Sequence, residues 1–134
     1  MGIIDFEKRI KMNLNENQQK IIDKKLNELS KSKFRSSFKL TKKDKEYIKE
    51  KGMNTILRHT YDIIEKRLKP KDIPNDGKQT PFRNHPTFKA QHATACCCRG
   101  CLEKWHHIEA NRELTSNEVN YIVSIIIEWI NRQL

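Results

Sequence analysis

All four cysteines of this 134-residue chain lie in one short segment, together with four of its five histidines. The segment spans residues 85–108 and reads HPTFKAQHATACCCRGCLEKWHHI. Thiolate sulfur and imidazole nitrogen are the ligands that a zinc ion prefers in proteins. We therefore expect the rest of the chain to form a scaffold that holds this His/Cys segment in place.

The spacing of two cysteines gives the sharpest signal within the segment. Cys98 and Cys101 form a C-x-x-C pair, which lets two thiolates reach one tetrahedral zinc ion from a tight turn. Gly100 lies between them and relieves that turn. One such pair supplies only half of a site, so nearby His or Cys residues must complete it. The sequence predicts one zinc ion bound by Cys98, Cys101, His106 and His92, with Cys97 and His85 as alternative ligands.

The flanking sequence has the pattern of amphipathic helices. Thr41 is typical of an N-cap, and Gly52 is a natural end for the helix that it opens. Apolar residues of 53–68 fall on one side of a second helix. Thr115 and Glu118 form a capping box before a closing helix whose apolar stripe exceeds one face, which predicts a central helix. The expected fold is mainly α, a small single domain of packed helices with a zinc-binding loop-helix unit.

Two further segments complete the predicted organisation. Residues 1–33 have apolar residues at helical intervals and are predicted to form an N-terminal helical arm, separable from a single His/Cys-motif domain at residues 34–134. Residues 70–86 contain four prolines and an Asp-Gly pair, which predicts a long irregular loop. The side chains predicted to bind an anionic group in and beyond this loop are Lys78, Gln79, Arg83 and Arg99.

The charge of the chain indicates the class of partner. Its 27 Lys and Arg residues exceed its 17 Asp and Glu residues, which gives a net charge of +10. Such a surplus favours polyanions, with nucleic acid first and acidic membrane surfaces second. No apolar run is long enough to cross a membrane, and the N-terminus does not resemble a secretory signal. We therefore expect a cytoplasmic protein whose cysteines stay reduced, which favours metal binding over disulfides.

Two enzymatic interpretations compete with that of a zinc-dependent binding module. A metal-dependent hydrolase or nucleic-acid-modifying enzyme would use side chains around the metal, and the candidates are Gln91, His92, Lys104 and His106. The zinc deaminase pattern is excluded because no Glu follows His92 at the required position. A thiol redox protein is the least favoured interpretation, because redox C-x-x-C pairs follow a strand in thioredoxin-like proteins and no clear strand precedes this pair.

Several segments of the chain resemble one family, the bacterial and phage domain of unknown function 4186. These segments are FRSSFKLTKKDKEYIKEKGMNTILRH, NDGKQTPFRNHP, FKAQHATACCCRGCLEKWHHI and the closing helix. The resemblance covers residues 34–134 and implies a motif at His85, Pro86, Phe88, Gln91, His92, Thr94, Cys97, Cys98, Arg99, Cys101, Lys104, Trp105 and His106. The chain departs from the family pattern at Cys96 and His107, where Thr and Gly are usual. The resemblance brings no established activity, but so polar a motif implies a binding or active site.

Overall fold

The computed structural model describes residues 14–74 and 76–134, and within these residues it contains seven helices and no strand. The first part of the predicted arm, residues 1–13, lies outside the described residues. The mainly α fold predicted from the sequence is confirmed. The helices are α1 (Glu16–Ser30), α2 (Lys33–Ser36), α3 (Lys42–Lys51), α4 (Met53–Arg67), α5 (Pro86–Ala93), α6 (Arg99–His106) and α7 (Ser116–Gln133).

Helix α7 lies at the centre of the core. It begins with the predicted capping box, in which the Thr115 hydroxyl accepts from the Glu118 N–H and the Glu118 carboxylate accepts from the Thr115 N–H. It packs against α1, α4 and α5. Its buried apolar side chains are Val119, Ile122, Val123, Ile125, Ile126, Ile127 and Ile130. Because these side chains cover more than one face, the prediction of a central helix is confirmed.

The pair α3 and α4 also follows the local sequence. Thr41 and Asp44 form a second capping box at the start of α3. Gly52 has a φ of +86° between the two helices. This left-handed backbone is easy only for glycine, so one residue ends α3 and redirects the chain into α4.

Helix α1 belongs to the same hydrophobic core as α4 and α7. Its Ile22, Leu26 and Leu29 side chains are buried in that core. The Lys25 ammonium donates to the carbonyl of Trp105 over 2.7 Å, so the helix also contacts the end of α6. The second half of the predicted arm therefore packs against the domain, although the sequence predicted that the two are separable.

Leu29→Ala tests how far the domain depends on α1. Leu29 is 2% exposed, and we expect its truncation to lower the free energy of unfolding by about 3 kcal/mol, because a buried cavity replaces the side chain. Urea unfolding followed by circular dichroism measures this change. Ile21→Ala on the same helix is the matched control, since Ile21 is 57% exposed and its truncation should change stability by less than about 0.5 kcal/mol. Equal small effects at both positions would show that the arm is dispensable.

The predicted irregular loop connects α4 to α5 and lies against the His/Cys segment. Apart from Asn75, which the structure does not describe, residues 69–85 contain no helix or strand. The Thr80 hydroxyl donates to the carbonyl of Cys97 over 2.7 Å. At the other end of the loop, the Lys69 carbonyl accepts from the N–H of Leu114. None of the described helices has the length and apolar character needed to span a bilayer.

Candidate metal centre

Two helix ends bring the cysteines together. Helix α5 ends in a left-handed turn at Ala95, with a φ of +58°, and the N–H of Cys96 donates back to the carbonyl of Gln91 over 2.8 Å. This arrangement is typical of a Schellman C-cap, which reverses the chain direction. Cys98 then acts as the N-cap of α6, and its sulfur accepts from the N–H of Cys101 over 3.3 Å. Together, the chain reversal after α5 and the N-cap of α6 bring the sulfur atoms of Cys97, Cys98 and Cys101 close to one another.

The sulfur atoms of Cys97, Cys98 and Cys101 all lie within 4.8 Å of one another. The Cys101 sulfur is 3.2 Å from that of Cys98 and 3.5 Å from that of Cys97. Ligand sulfurs around a tetrahedral zinc ion are about 3.8 Å apart, because each Zn–S bond is about 2.3 Å long. All the cysteines are free, and the distances far exceed a disulfide bond of about 2.05 Å. The three cysteines could therefore bind a metal ion.

A buried arginine lies beside these sulfurs. Arg35 of α2 is 8% exposed, and its guanidinium donates to the Cys101 sulfur over 3.2 Å and to the Cys97 sulfur over 3.6 Å. It also donates to the carbonyl of His92 over 2.7 Å. Three thiolates around a divalent cation would carry one net negative charge, which the guanidinium of Arg35 would balance.

The pKa values of the three thiols are shifted in different directions. The thiols of Cys97 and Cys98 donate to the sulfur of Cys101, and together with Arg35 they hold the pKa of Cys101 well below its ordinary value. The same hydrogen bonds raise the pKa of both donor thiols. These hydrogen bonds favour the thiolate form of Cys101, and a bound metal ion would replace the protons of the other two thiols.

His92 does not belong to the group of three cysteines whose sulfur atoms lie within 4.8 Å of one another. Its Nε2 atom is 3.1 Å from the carbonyl oxygens of both Thr80 and Pro81, so this nitrogen carries a proton and donates it to the loop. Its ring stacks on the ring of Phe82 at a centroid distance of 4.2 Å. In this position the imidazole fastens the loop to α5.

His106 also lies outside that group, on the side of α6 that faces α7. Its Nε2 atom donates to the carbonyl of Thr94 over 2.7 Å, so its Nδ1 atom accepts from the Tyr121 hydroxyl over 2.7 Å. Both ring nitrogens therefore have protein partners. Burial lowers the pKa of His106 to about 4, so the imidazole is neutral at pH 7.

His106→Gln should reduce the acid sensitivity of the fold. The pKa of His106 is about 4 in the folded state and about 6.5 in the unfolded state. The unfolded chain takes up a proton first as the pH falls, so this residue makes the free energy of unfolding decrease from pH 6.5 down to pH 4. Between pH 7 and pH 5 the loss is roughly 2 kcal/mol. Glutamine cannot titrate, and its amide can still donate to Thr94.

Urea unfolding of wild type and His106→Gln at pH 7 and pH 5 measures the difference. His107→Gln is the matched control for the substitution itself, since His107 is the exposed neighbour of His106. An unchanged pH dependence in His106→Gln would contradict a buried, neutral His106.

The two alternative ligands, Cys97 and His85, lie in different places. Cys97 belongs to the sulfur cluster, whereas His85 is the N-cap of α5. The Nδ1 atom of His85 accepts from the N–H of Thr87 over 3.0 Å, and its Nε2 atom is 3.0 Å from Nδ1 of His59. Cys96 is fully buried and faces His106. Burial raises the pKa of the Cys96 thiol to about 12, which keeps it protonated.

The four candidate catalytic residues have separate surroundings. Gln91 is fully buried, and its amide donates to the carbonyl of Cys96 over 3.1 Å, while its Oε1 atom has no hydrogen-bond partner. Lys104 is exposed on α6. His92 and His106 are held by the loop and by α7, as described above. The structure does not bring these four side chains together around the sulfurs.

The predicted anion-binding residues are also divided. Lys78 and Arg83 are exposed, whereas the Gln79 side chain bonds to Asp76 and to the N–H of Gly77. Arg99 is 2% exposed. Its guanidinium donates to three backbone carbonyls, which belong to Leu68, Pro70 and Glu109. Arg99 thus connects the end of α4 to the segment after α6 and does not lie on the surface with Lys78 and Arg83.

The predicted site residues did not include Arg35, whose guanidinium contacts two of the three sulfurs. Eleven lysines occur between residues 20 and 51, and Arg35 is the single arginine among them. Arginine suits buried positions because its planar group donates in several fixed directions and is weakly hydrated. An isolated arginine in a lysine-rich stretch was therefore a usable signal.

Comparison with known proteins identifies a family for this chain but assigns it no activity. No solved structure matches the chain. A family described as a domain of unknown function, DUF4186, matches residues 23–131. This match begins within α1 and ends within α7, so it includes the three cysteines of the cluster and all the buried core residues except Ile22. The chain accordingly belongs to the DUF4186 family.

Proposed function

We propose that this protein binds one zinc ion through Cys97, Cys98 and Cys101. The observation that carries the proposal is the convergence of three sulfurs within 4.8 Å, next to the buried guanidinium of Arg35. Thiolate ligands favour zinc among the metals that keep a tetrahedral site without redox chemistry. A third sulfur also distinguishes the cluster from the two-cysteine pair that thiol redox proteins use.

The zinc ion would fasten several elements to one another. Cys97 follows the turn after α5, Cys98 and Cys101 begin α6, and Arg35 comes from α2. Three protein ligands leave one tetrahedral position for a water molecule or another external ligand. Because the site is not formed in the unfolded chain, its binding free energy adds to the stability of the fold.

Metal analysis of protein purified in reductant without added zinc tests this proposal. We expect one zinc ion per chain, and one additional thiol-reactive cysteine for each ligand once a chelator removes the metal. Cys96→Ser is the control, since Cys96 contacts His106 and not the cluster, and this variant should retain the full metal content. Reduced, folded protein that neither contains zinc nor takes it up would refute the proposal.

We further propose that the protein binds nucleic acid, and the distribution of charge supports this partner. Residues 31–51 contain nine Lys or Arg and three Asp or Glu residues, which is a surplus of six within a net charge of +10. All eight lysines of this basic segment (residues 31–51) are exposed. A concentrated positive surface of this kind attracts phosphate groups.

Titration of labelled DNA and RNA at two salt concentrations tests this partner. The logarithm of the binding constant should fall by roughly 0.7 to 0.9 per logarithmic unit of salt for each phosphate contacted. Replacing Lys42, Lys43 and Lys45 with alanine should make the salt dependence shallower. Replacing Lys20 and Lys24 on α1, outside the basic segment, should change it less. Absence of binding at low salt would refute nucleic acid as the partner.

A further inference from the structure

Two phenylalanine side chains are exposed next to the candidate metal centre. Phe82 is 60% exposed and Phe34 is 52% exposed. Both belong to an aromatic cluster that also contains Phe38 and His92. Large aromatic side chains normally bury most of their surface, so a cluster that leaves two rings open to solvent is suited to contact a partner.

Three rings of the aromatic cluster lie nearly parallel to one another, and Phe82 is stacked on His92. Phe82 lies on the ring of His92 with a centroid distance of 4.2 Å and an interplanar angle of 5°. Phe38 lies 6.3 Å from Phe82 at an angle of 11° and 5.4 Å from His92 at an angle of 16°. The three planes are nearly parallel, and His92 covers one face of Phe82. The remaining exposure of Phe82 offers a flat surface to another planar ring.

Buried groups hold this surface in place. His92 donates to the carbonyls of Thr80 and Pro81, which fixes the backbone immediately before Phe82. Phe34 packs edge-on against Phe38 at 5.2 Å, and the guanidinium of Arg35 lies 5.0 Å from the centre of the Phe34 ring. A platform that is ordered before binding loses little conformational entropy when a ligand stacks on it.

Exposed cationic residues adjoin the aromatic residues in the sequence. Lys33 precedes Phe34, Lys39 follows Phe38, and Arg83 follows Phe82, and these three cationic residues are exposed. Lys33 and Lys39 belong to the basic segment. The surface therefore combines aromatic faces with cations, whereas a surface for an apolar peptide or a lipid tail would favour aliphatic side chains.

We propose that the aromatic cluster binds single-stranded nucleic acid, with bases stacked on Phe82 and Phe34 and phosphates contacted by Lys33, Lys39 and Arg83. This inference rests on the proposed binding of nucleic acid and specifies its form. Bases of a single strand can turn outward and stack on aromatic rings, and each such contact contributes about 1–3 kcal/mol. Bases of a duplex are already stacked on one another and cannot reach the rings.

Fluorescence anisotropy with four labelled probes tests the inference. The probes are a 20-nucleotide single-stranded DNA, an RNA of the same sequence, the corresponding DNA duplex, and a strand of the same length made of abasic sites. Wild type should bind both single strands more tightly than the duplex or the abasic strand. Phe82→Ala and Phe34→Ala should each weaken single-strand binding by roughly 5- to 150-fold, with little effect on the abasic strand.

Three further variants separate stacking from other causes. Phe82→Trp should retain tight binding because indole also stacks, whereas Phe82→Leu should not, although it keeps an apolar side chain on the loop. Ile21→Ala is the matched control, because Ile21 is equally exposed but lies on α1, against Tyr61 and Tyr121. It should bind as wild type does. Circular dichroism should show the same helix content in all variants.

The experiments distinguish failure of this inference from failure of the proposed binding of nucleic acid. Equal binding of single strand and duplex, or unchanged binding in both Phe82→Ala and Phe34→Ala, would overturn this inference and leave nucleic acid as the partner. No binding of any probe at low salt would overturn both proposals. Binding to phosphatidylserine vesicles that depends on Phe82, without a preference for single strands, would assign the surface to a membrane and overturn the inference.

Discussion

With the proposed zinc site, Cys101→Ser is expected to lose the ability to bind the metal and to unfold at a markedly lower urea concentration than metal-bound wild type. The Cys101 sulfur is within 3.5 Å of both other sulfurs and accepts from Arg35, so its loss removes the central ligand of the cluster. A serine hydroxyl is a poor ligand for zinc because it stays protonated at neutral pH. At free zinc of about 1,000 times the dissociation constant, bound metal contributes about 4 kcal/mol to stability, and the variant should lose most of it.

Metal analysis and urea unfolding with and without a chelator measure this effect. The difference in stability between wild type and Cys101→Ser should largely disappear once a chelator removes the metal. Cys96→Ser should keep both its zinc and its response to the chelator. Retention of stoichiometric zinc in Cys101→Ser would contradict the assignment of the ligands.

Arg99→Met is expected to destabilise the fold severely without a matching loss of nucleic-acid affinity. The guanidinium satisfies three backbone carbonyls from its position at 2% exposure. Methionine fills similar volume but cannot donate, so the carbonyls lose their partners at a total cost of roughly 5 kcal/mol. Urea unfolding measures the loss of stability, and anisotropy at a temperature where the variant is folded measures binding.

Lys104→Met on the same helix is the matched control for this prediction. Lys104 is exposed, so its replacement should change the free energy of unfolding by less than about 0.5 kcal/mol. If Arg99→Met were as stable as wild type but bound nucleic acid less tightly, Arg99 would instead have the anion-binding role that the sequence suggested.

Helices α3 and α7 could be predicted because the signals at their first turns are local. Thr41 with Asp44 and Thr115 with Glu118 are three residues apart, and each pair forms its capping box with its own backbone. The reach of α1 into the core could not be predicted in the same way. Its stripe of apolar residues is equally compatible with a separate arm, and only tertiary contacts decide between the two.

The convergence of the cysteines was partly predictable for the same reason. The C-x-x-C spacing predicts that the sulfurs of Cys98 and Cys101 lie close together, and Cys97 is their neighbour in sequence. His92 and His106 were predicted as ligands because they are close in sequence, but their nitrogens bond to the loop carbonyls and to Tyr121. Arg35 is 62 residues from Cys97 and 66 from Cys101. Contacts at that separation depend on the packing of α2, which no local pattern specifies.

The central position of α7 affects how the chain folds during synthesis. Of the described helices, α7 leaves the ribosome last, although α1, α4 and α5 all pack against it. At roughly 5–20 residues per second, about 10 s separate the synthesis of α1 from that of α7. During this time the apolar faces of the earlier helices lack their main partner. The nascent chain therefore emerges with unburied core residues and completes its core only when α7 becomes available.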